Sequence, residues 1–288
     1  MPAHVEERLA GLSRVKVIMQ RIDPCLTGTD RALCDLLRVA CDAALGAGEI
    51  IRSLYEKPHR IRMKGKIDLV TEADVASERA IVDRLRRHSG TPILAEESGS
   101  DLSADVSGPL WVVDPLDGTT NFAHGFPYFG ISIAYSVAQV SQVGAIYCPL
   151  TDELFCAGRG MGAWLNGRAI RVSDRRQLIE SLVGTGFPYA IRENLEEVVS
   201  LLGRVLPEVR DLRRAGAAAV DLAYLACGRL DGFWELDLKP WDTAAGQLLV
   251  EEAGGRVSTL GGGDWNPWRK EILASNGGIH GQLGELLF

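Results

Sequence analysis

The spacing of apolar residues predicts two helices followed by short strands in the first part of the chain. Apolar side chains recur at helical spacing over residues 30–55, with Asp30 suited to cap the helix. A second helix is predicted from Thr71 to about residue 88. Short apolar runs at 93–95 and 110–113 then indicate buried strands.

Antiparallel sheet is predicted for the middle of the chain. Residues 130–138 and 142–147 alternate like strands, and 154–157 is suited to pair with 163–165. Asn166-Gly167 then marks a tight turn. We place a domain boundary at this turn. The predicted divisions are an N-terminal extension of unassigned role at 1–28, a metal-binding α+β domain at 29–165 and an α/β domain at 166–288.

Helices and strands alternate beyond this turn, which indicates a smaller α/β layer stacked on the first domain. The predicted elements are strands at 182–184 and 232–235, and helices at 195–206, 217–226 and 242–253. The Gly-rich run at 158–163 imitates a dinucleotide-binding loop. Because a hairpin turn follows it, rather than a helix, we do not assign it to phosphate binding.

Composition and charge narrow the class of protein. The chain has 288 residues, of which 46% are hydrophobic, and a net charge of −7. That charge disfavours nucleic-acid or anionic-membrane binding. We expect a cytoplasmic protein, because neither a signal peptide nor a membrane span is recognisable. The six cysteines form no C-x-x-C pair, so reduced thiols are expected.

Two carboxylates three residues apart carry the clearest chemical signal. Asp114 and Asp117 stand where a predicted strand turns towards a helix, and Pro115 between them is expected to stop the sheet ladder. Residues 118–120 follow, with backbone N–H groups at a helix start that suit a phosphate. Metal ligands and phosphate donors are therefore expected side by side.

Two further acids, Glu96 and Asp242, also stand at the ends of predicted elements. Each acid has a simpler explanation alone: Asp242 as a helix N-cap, Glu96 as a solvated strand end, and Asp117-Gly118 as a turn. Four such acids without cations would repel one another and take up protons. Two or three Mg²⁺ ions, which prefer oxygen ligands, would offset that charge.

Three motifs in this order resemble those of the inositol monophosphatase family. Residues 111–122 resemble its D-P-[IL]-D-G-T-T-N-F signature, 95–98 its G-E-E-S element and 241–246 its W-D-x-A-A-G element. The similarity begins near Asp30 and continues to the C-terminus. It implies the layered α/β/α/β/α fold of metal-dependent, lithium-sensitive sugar phosphatases, in which a mostly antiparallel sheet domain is stacked on a smaller α/β domain. A homodimer is also implied.

The resemblance assigns the motif acids to metal ions. Glu96, Asp114 and the backbone carbonyl of Leu116 would bind a first Mg²⁺, whereas Asp114, Asp117 and Asp242 would bind a second. Glu96 would also share a weaker third ion. In such sites one cation lowers the pKa of a bound water and another stabilises the leaving alkoxide. Phosphorylation of Asp114 is the less favoured alternative, because it explains one acid rather than four.

The resemblance also implies catalytic and substrate-binding residues. Glu96 and Thr119, with Asp74 behind Thr119, would prepare the attacking water, although Asp74 is equally suited to the first turn of a helix. Lys64 is either a solvated charge or part of a flap, and Glu235 either a substrate ligand or a buried structural acid. The implied substrate contacts are Asp117, Gly118, Thr119, Gly216, Ala217, Ala218, Glu235 and Lys64.

The expected reaction is Mg²⁺-dependent hydrolysis of a phosphate monoester, with myo-inositol 1-phosphate as the first choice. Residues 213–224 and 238–242 resemble bacterial-type inositol-1-monophosphatases, although Ala217 replaces a frequent Ser or Thr. Fructose-1,6-bisphosphatase, histidinol-phosphate phosphatase and 3′-phosphoadenosine-5′-phosphate phosphatase are alternatives. A bisphosphate enzyme needs a distant cation, for which Arg192, Arg213 and Arg214 are candidates. A binding or regulatory module without turnover is the alternative from another class.

Overall fold

A computed structural model describes residues 20, 23, 30–57, 61–63, 69–98, 106–188 and 190–288. Most of the predicted extension at 1–28 lies outside these residues, as does Lys64. No helix in the described ranges is long and apolar enough to cross a membrane. The five cysteines of these ranges are thiols that form no disulfide bond, and four of them are buried.

The two predicted N-terminal helices are confirmed as α1 (Arg31–Leu54) and α2 (Glu72–His88). Asp30 caps α1, because its Oδ1 accepts the N–H groups of Ala32 and Leu33 at 2.9 and 3.2 Å. Between the helices, β1 (Ile61–Met63) pairs antiparallel with β2 (Leu69–Thr71). These two short strands precede α2 and flank residues 64–68 in the sequence.

The first large sheet has seven strands and is mostly antiparallel, as predicted. Only its first pair is parallel, and the strand order follows the chain order. The strands are β3 (Ile93–Ala95), β4 (Pro109–Asp117), β5 (Gly130–Val137), β6 (Val140–Cys148), β7 (Glu153–Gly158), β8 (Gly162–Leu165) and β9 (Arg168–Ile170). The short helix α3 (Thr119–Ala123) connects β4 to β5.

The second sheet has five strands and is mixed in direction. The elements of this part of the chain are β10 (Leu182–Thr185), α4 (Leu195–Val205), β11 (Asp211–Arg213), α5 (Ala218–Ala226), β12 (Gly232–Leu236), α6 (Pro240–Glu252), β13 (Arg256–Ser258), β14 (Glu271–Ser275) and α7 (His280–Leu287). The strand order in the sheet is β11-β10-β12-β14-β13. β11, β13, β14 and α7 had no predicted counterpart.

The alternation of side chains along β4 shows how the layers stack. Trp111 and Val113 pack into a core with α1, whereas Leu110 and Val112 pack into a second core with α5 and α6. A third core lies between the second sheet and the outer helices α4 and α7. The α/β/α/β/α sandwich is thereby confirmed.

The hairpin at Asn166-Gly167 belongs to the first sheet. Residues Gly162–Leu165 pair with Arg168–Ile170 as adjacent antiparallel strands. A division at 165/166 therefore passes through this hairpin. A division after Ile170 would keep the seven-stranded sheet whole.

Candidate active site

An irregularity in β4 places Asp114 and Asp117 on one face of the sheet. Asp114 lies opposite Ser132 and Asp117 opposite Gly130, so three steps on β4 match two on β5. In a regular strand, residues three apart point to opposite faces, and the extra residue of a bulge corrects this. The expectation that Pro115 ends the ladder is wrong, because a bulge tolerates proline within a strand.

The same register brings Asp242 to these acids. Ser132, which pairs with Asp114, donates its hydroxyl to the carbonyl oxygen of Trp241 at 3.1 Å. Helix α6 begins at Pro240, two residues before the predicted start. Asp242 thus lies in the first turn, where its Oδ2 accepts the N–H of Lys239 at 2.7 Å. The Asp242 carboxylate thus accepts a hydrogen bond at the start of α6 and is also close enough to Asp114 to raise its pKa.

Glu96 reaches the site through the parallel pair of strands. Ala95 lies opposite Val113, and the N–H of Glu96 donates to the carbonyl oxygen of Val113 at 3.2 Å. Glu96 therefore follows the last pair of β3 at the same level as Asp114 on β4. Sequence alone allowed Glu96 to be a fully solvated residue at a strand end. In the structure Glu96 is partly buried.

The four acids form one electrostatic cluster. Burial raises the pKa of Asp114 well above its usual range, and repulsion from Glu96, Asp117 and Asp242 raises it further. Burial also raises the pKa of Asp117 and of Asp242 to about 7. Within the described ranges, no three His, Cys, Asp or Glu side chains are arranged to hold a metal ion as they stand.

Thr119 connects the acid cluster to Asp74. Its hydroxyl lies 2.7 Å from Asp74 Oδ1 and 3.0 Å from the carbonyl oxygen of Leu116. The other carboxyl oxygen of Asp74 accepts the N–H and the hydroxyl of Thr71 at 2.7 and 2.5 Å. Asp74 therefore caps α2 and also contacts Thr119. The two interpretations of Asp74 that the sequence left open are compatible.

Gly118 is the hinge between β4 and α3. Its φ of +91° lies in the left-handed region, which glycine adopts without a steric penalty. A Cβ there would lie 3.0 Å from the carbonyl oxygen of Tyr128 and 3.2 Å from the Cβ of Ala217. The predicted phosphate-binding turn is therefore packed directly against the predicted substrate-binding segment of the second domain.

Two side chains of the first domain bind that segment, and sequence reasoning assigned neither contact. Asn121 donates its amide to the carbonyl oxygens of Ala215 and Gly216 at 2.9 and 3.3 Å. Asp117 Oδ2 accepts the N–H groups of Ala219 and Val220 at 2.8 and 3.4 Å. Asn121 belongs to the motif at 111–122, but nothing in its sequence context indicates its partners.

Glu235 stands at the opposite side of the cluster, near the end of β12. Burial raises the pKa of Glu235 well above its usual range, and Asp242, Asp221 and Asp117 raise it further, whereas Arg214 lowers it. Asp221 is buried and accepts the hydroxyl of Tyr128 at 2.6 Å. The acids are thus electrostatically coupled, and the guanidinium of Arg214 opposes Glu235 and Asp221 while the ammonium of Lys239 opposes Asp242.

The contacts and charges above connect the predicted site residues within the described ranges, whereas Lys64 lies outside these ranges. The Gly-rich run at 158–163 binds a carboxylate of the chain itself: Glu252 accepts the N–H groups of Gly160 and Gly162 at 2.8 and 2.9 Å. These two N–H groups are therefore engaged by an acid of the chain itself.

Residues 33–287 match the model of the inositol monophosphatase family. The chain belongs to this family. It is 43% identical to the Nus factor SuhB of Escherichia coli over 244 residues, which cover 84% of this chain and 91% of that protein. It is equally identical to the inositol-1-monophosphatase of Synechocystis over 254 residues, covering 87% and 88%.

Solved structures agree with this membership. The inositol monophosphatase of Anabaena has a TM-score of 0.80 and 41% identity, with 89% of this chain and 96% of that chain covered. The protein is therefore a phosphatase of this family, whose members are generally metal-dependent. Because one of these equally similar relatives is named a Nus factor and the other an inositol-1-monophosphatase, their names do not specify the substrate of this protein.

Proposed function

We propose that this protein hydrolyses a phosphate monoester in a Mg²⁺-dependent reaction, with myo-inositol 1-phosphate as its substrate. The observation that carries the proposal is the contact between Thr119 and Asp74 beside four clustered acids. Buried charges require a partner, either an opposite charge or a metal ion. The cluster supplies oxygen ligands only, which is the donor set that Mg²⁺ prefers.

The ligand assignment is taken from the family resemblance, and the clustering of the acids supports it. Glu96, Asp114 and the carbonyl oxygen of Leu116 would hold a first ion, and Asp114, Asp117 and Asp242 a second, with Glu96 also available to a third. Such ions act as Lewis acids that lower the pKa of bound water and stabilise the leaving oxygen. Water molecules would complete the coordination of each ion, because Mg²⁺ keeps several waters in most protein sites.

Thr119 and Asp74 would guide the attacking water. The single hydroxyl proton of Thr119 is directed to Asp74 Oδ1, the nearer of its two acceptors. A lone pair of Thr119 Oγ1 is then available to accept a hydrogen bond from water, which would orient the water oxygen for attack. No covalent enzyme intermediate is required, so Asp114 remains a ligand rather than a nucleophile.

The second domain would select the leaving group. The N–H groups of Gly118 and Thr119 suit the phosphate, whereas the segment from Gly216 to Ala218 borders the position of the alcohol. Glu235 would accept hydrogen bonds from substrate hydroxyls. Lys64 would be a further substrate contact, on the family resemblance alone.

The charges around Glu235 favour a neutral, hydroxyl-bearing leaving group over a second phosphate. Arg213 is engaged by Asp211 and by the carbonyl oxygen of Leu212, at 2.5 and 2.8 Å. Arg214 is opposed by both Asp221 and Glu235. Like charges at this position would repel an anionic group. The bisphosphatase alternative is therefore less well supported.

The test is kcat/KM with Mg²⁺ for four substrates: myo-inositol 1-phosphate, fructose 1,6-bisphosphate, histidinol phosphate and 3′-phosphoadenosine 5′-phosphate. We expect the inositol ester to be preferred, and a preference for another substrate would overturn that assignment. Asp114→Asn should abolish turnover while the circular dichroism spectrum is retained. Inhibition by lithium, a homodimeric mass in solution and a cytoplasmic location are further expectations.

A binding or regulatory module remains the second candidate. A relative called a Nus factor is as similar to this chain as one called an enzyme. The presence of all four acids and of the Thr119–Asp74 contact supports turnover. If the wild type hydrolyses none of the four esters in the presence of Mg²⁺, the module without turnover becomes the better explanation.

A further inference from the structure

Gly186 approaches Glu235 more closely than any side chain would permit. A Cβ built on Gly186 would lie 2.1 Å from the carboxyl carbon and from both carboxyl oxygens of Glu235. Carbon and oxygen atoms in van der Waals contact are separated by more than 3 Å, so a methyl group at this position would have to displace the carboxylate. The backbone at Gly186 therefore defines one wall of the Glu235 site.

The requirement for glycine at this position is one of space. Gly186 is not among the glycines with positive φ, so its backbone conformation is accessible to alanine. It follows Thr185, the last residue of β10, which pairs with Trp234 of β12. Because Trp234 immediately precedes Glu235, the sheet register fixes both partners of this close approach. The contact is built into the central strands of the second sheet.

The next residue contributes a second constraint. The guanidinium of Arg214 lies 5.1 Å from the centre of the Phe187 ring, within the range of a cation–π interaction. The same guanidinium attracts the carboxylate of Glu235. Gly186 thus limits the positions that the Glu235 side chain can occupy. Phe187 holds Arg214, the cation that attracts Glu235.

From this geometry we infer that Gly186 is a specificity-determining position, which sets where the Glu235 carboxylate can receive hydroxyl groups of the leaving alcohol. The inference rests on the proposed function, because it deepens the role assigned there to Glu235. Gly186 acts through Glu235 and does not itself contact the reacting atoms. The substrate class it selects is a phosphate ester of a polyhydroxylated alcohol.

The test uses Gly186→Ala, Glu235→Ala, the double variant and Gly203→Ala. Gly203 is the matched control, because a Cβ there would meet no atom within 4 Å. Each protein is assayed with myo-inositol 1-phosphate and with p-nitrophenyl phosphate, whose leaving group has no hydroxyl to donate to Glu235 during binding. Thermal unfolding of each variant monitors the fold.

We expect Gly186→Ala to raise KM for the inositol ester by about 10-fold to 100-fold, since a misplacement near 1 Å has effects of that size. Its kcat/KM for p-nitrophenyl phosphate should equal that of wild type. In the Glu235→Ala background, Gly186→Ala should change the kinetic constants for neither substrate, because the carboxylate that the new methyl group would displace is absent. Gly203→Ala should resemble wild type throughout.

Equal losses on both substrates, or the same loss in the Glu235→Ala background, would overturn the inference and leave the proposed function intact. If wild type hydrolyses neither ester, the proposed function fails instead. Should Gly186→Ala fail to fold, the double variant decides the matter. Recovery of folding in the double variant supports the close approach, and failure to recover contradicts it.

Discussion

Asp117 caps a helix of the other domain: its Oδ2 accepts the N–H of Ala219 at 2.8 Å, across 102 residues of sequence. Helix α5 receives no side-chain cap from its own N-cap residue, Ala217. A carboxylate that serves this helix start also benefits from the positive end of the helix dipole. Asp117 thus supplies the acceptor that the side chain of Ala217 cannot provide at the start of α5.

This dual role predicts different outcomes for two substitutions of Asp117. Asp117→Asn keeps an oxygen acceptor for Ala219, whereas Asp117→Ala removes it and should cost about 1 kcal/mol of unfolding free energy. Both should lose phosphatase activity, because both remove the charge. Urea unfolding without added metal and kcat with Mg²⁺ measure the two effects. Equal stability of the Asn and Ala variants would contradict the capping role.

Thr119 is predicted to act through its hydroxyl. Thr119→Val keeps the shape but removes the donor to Asp74, and we expect kcat to fall by about 100-fold or more. Thr119→Ser keeps the hydroxyl and should retain most activity. Steady-state rates at saturating Mg²⁺ make the comparison. A Val variant that is as active as the Ser variant would exclude Thr119 from guiding the water.

Mg²⁺ is predicted to stabilise the fold through the acid cluster. Ligand binding to the folded state alone contributes about 2.7 kcal/mol at a ligand concentration of 100 Kd. Mg²⁺ should therefore raise the melting temperature of chelator-treated wild type. Asp114→Asn, which lacks the acid that the proposal places between two ions, should respond much less. A similar rise in both proteins would argue against binding at this cluster.

His280 is predicted to make stability depend on pH, far from the active site. Burial lowers the pKa of His280 to about 4, and its two ring nitrogens lie 2.9 Å from the hydroxyls of Ser258 and Ser275. Below its unfolded pKa of 6.5, the unfolded chain binds the proton more readily than the folded chain. Stability from this group is complete above pH 6.5 and falls towards pH 4, by up to about 1.4 kcal/mol per pH unit.

The control for this prediction is His280→Gln, which retains one donor and one acceptor but does not titrate. Urea midpoints of both proteins should be compared at pH 5 and pH 7. The wild-type midpoint should fall by more than that of the Gln variant on going to pH 5. Because the acids of the active site are common to both proteins, their contribution cancels. Parallel changes would show that His280 is not the titrating group.

Local sequence determined much of this protein. Asp30 and Thr71 mark helix starts, and Asn166-Gly167 marks a hairpin, because caps and turns depend on neighbouring residues. The apolar periodicities give most helices and strands for the same reason. The motif acids and Thr119 could also be identified, since their spacing and order match a known family. β11 and the end of the chain were not predicted, including β14, which lies between β12 and β13 in the second sheet.

Tertiary structure alone decided how those residues meet. The bulge that aligns Asp114 with Asp117 depends on pairing with β5. From sequence, Pro115 was instead expected to end the strand before Asp117. Asp242 is positioned by a hydrogen bond between Ser132 and Trp241, 109 residues apart. The close approach of Gly186 to Glu235 depends on the register of β10 and β12. A sequence specifies which groups are present, whereas sheet register and packing set the distances on which their chemistry depends.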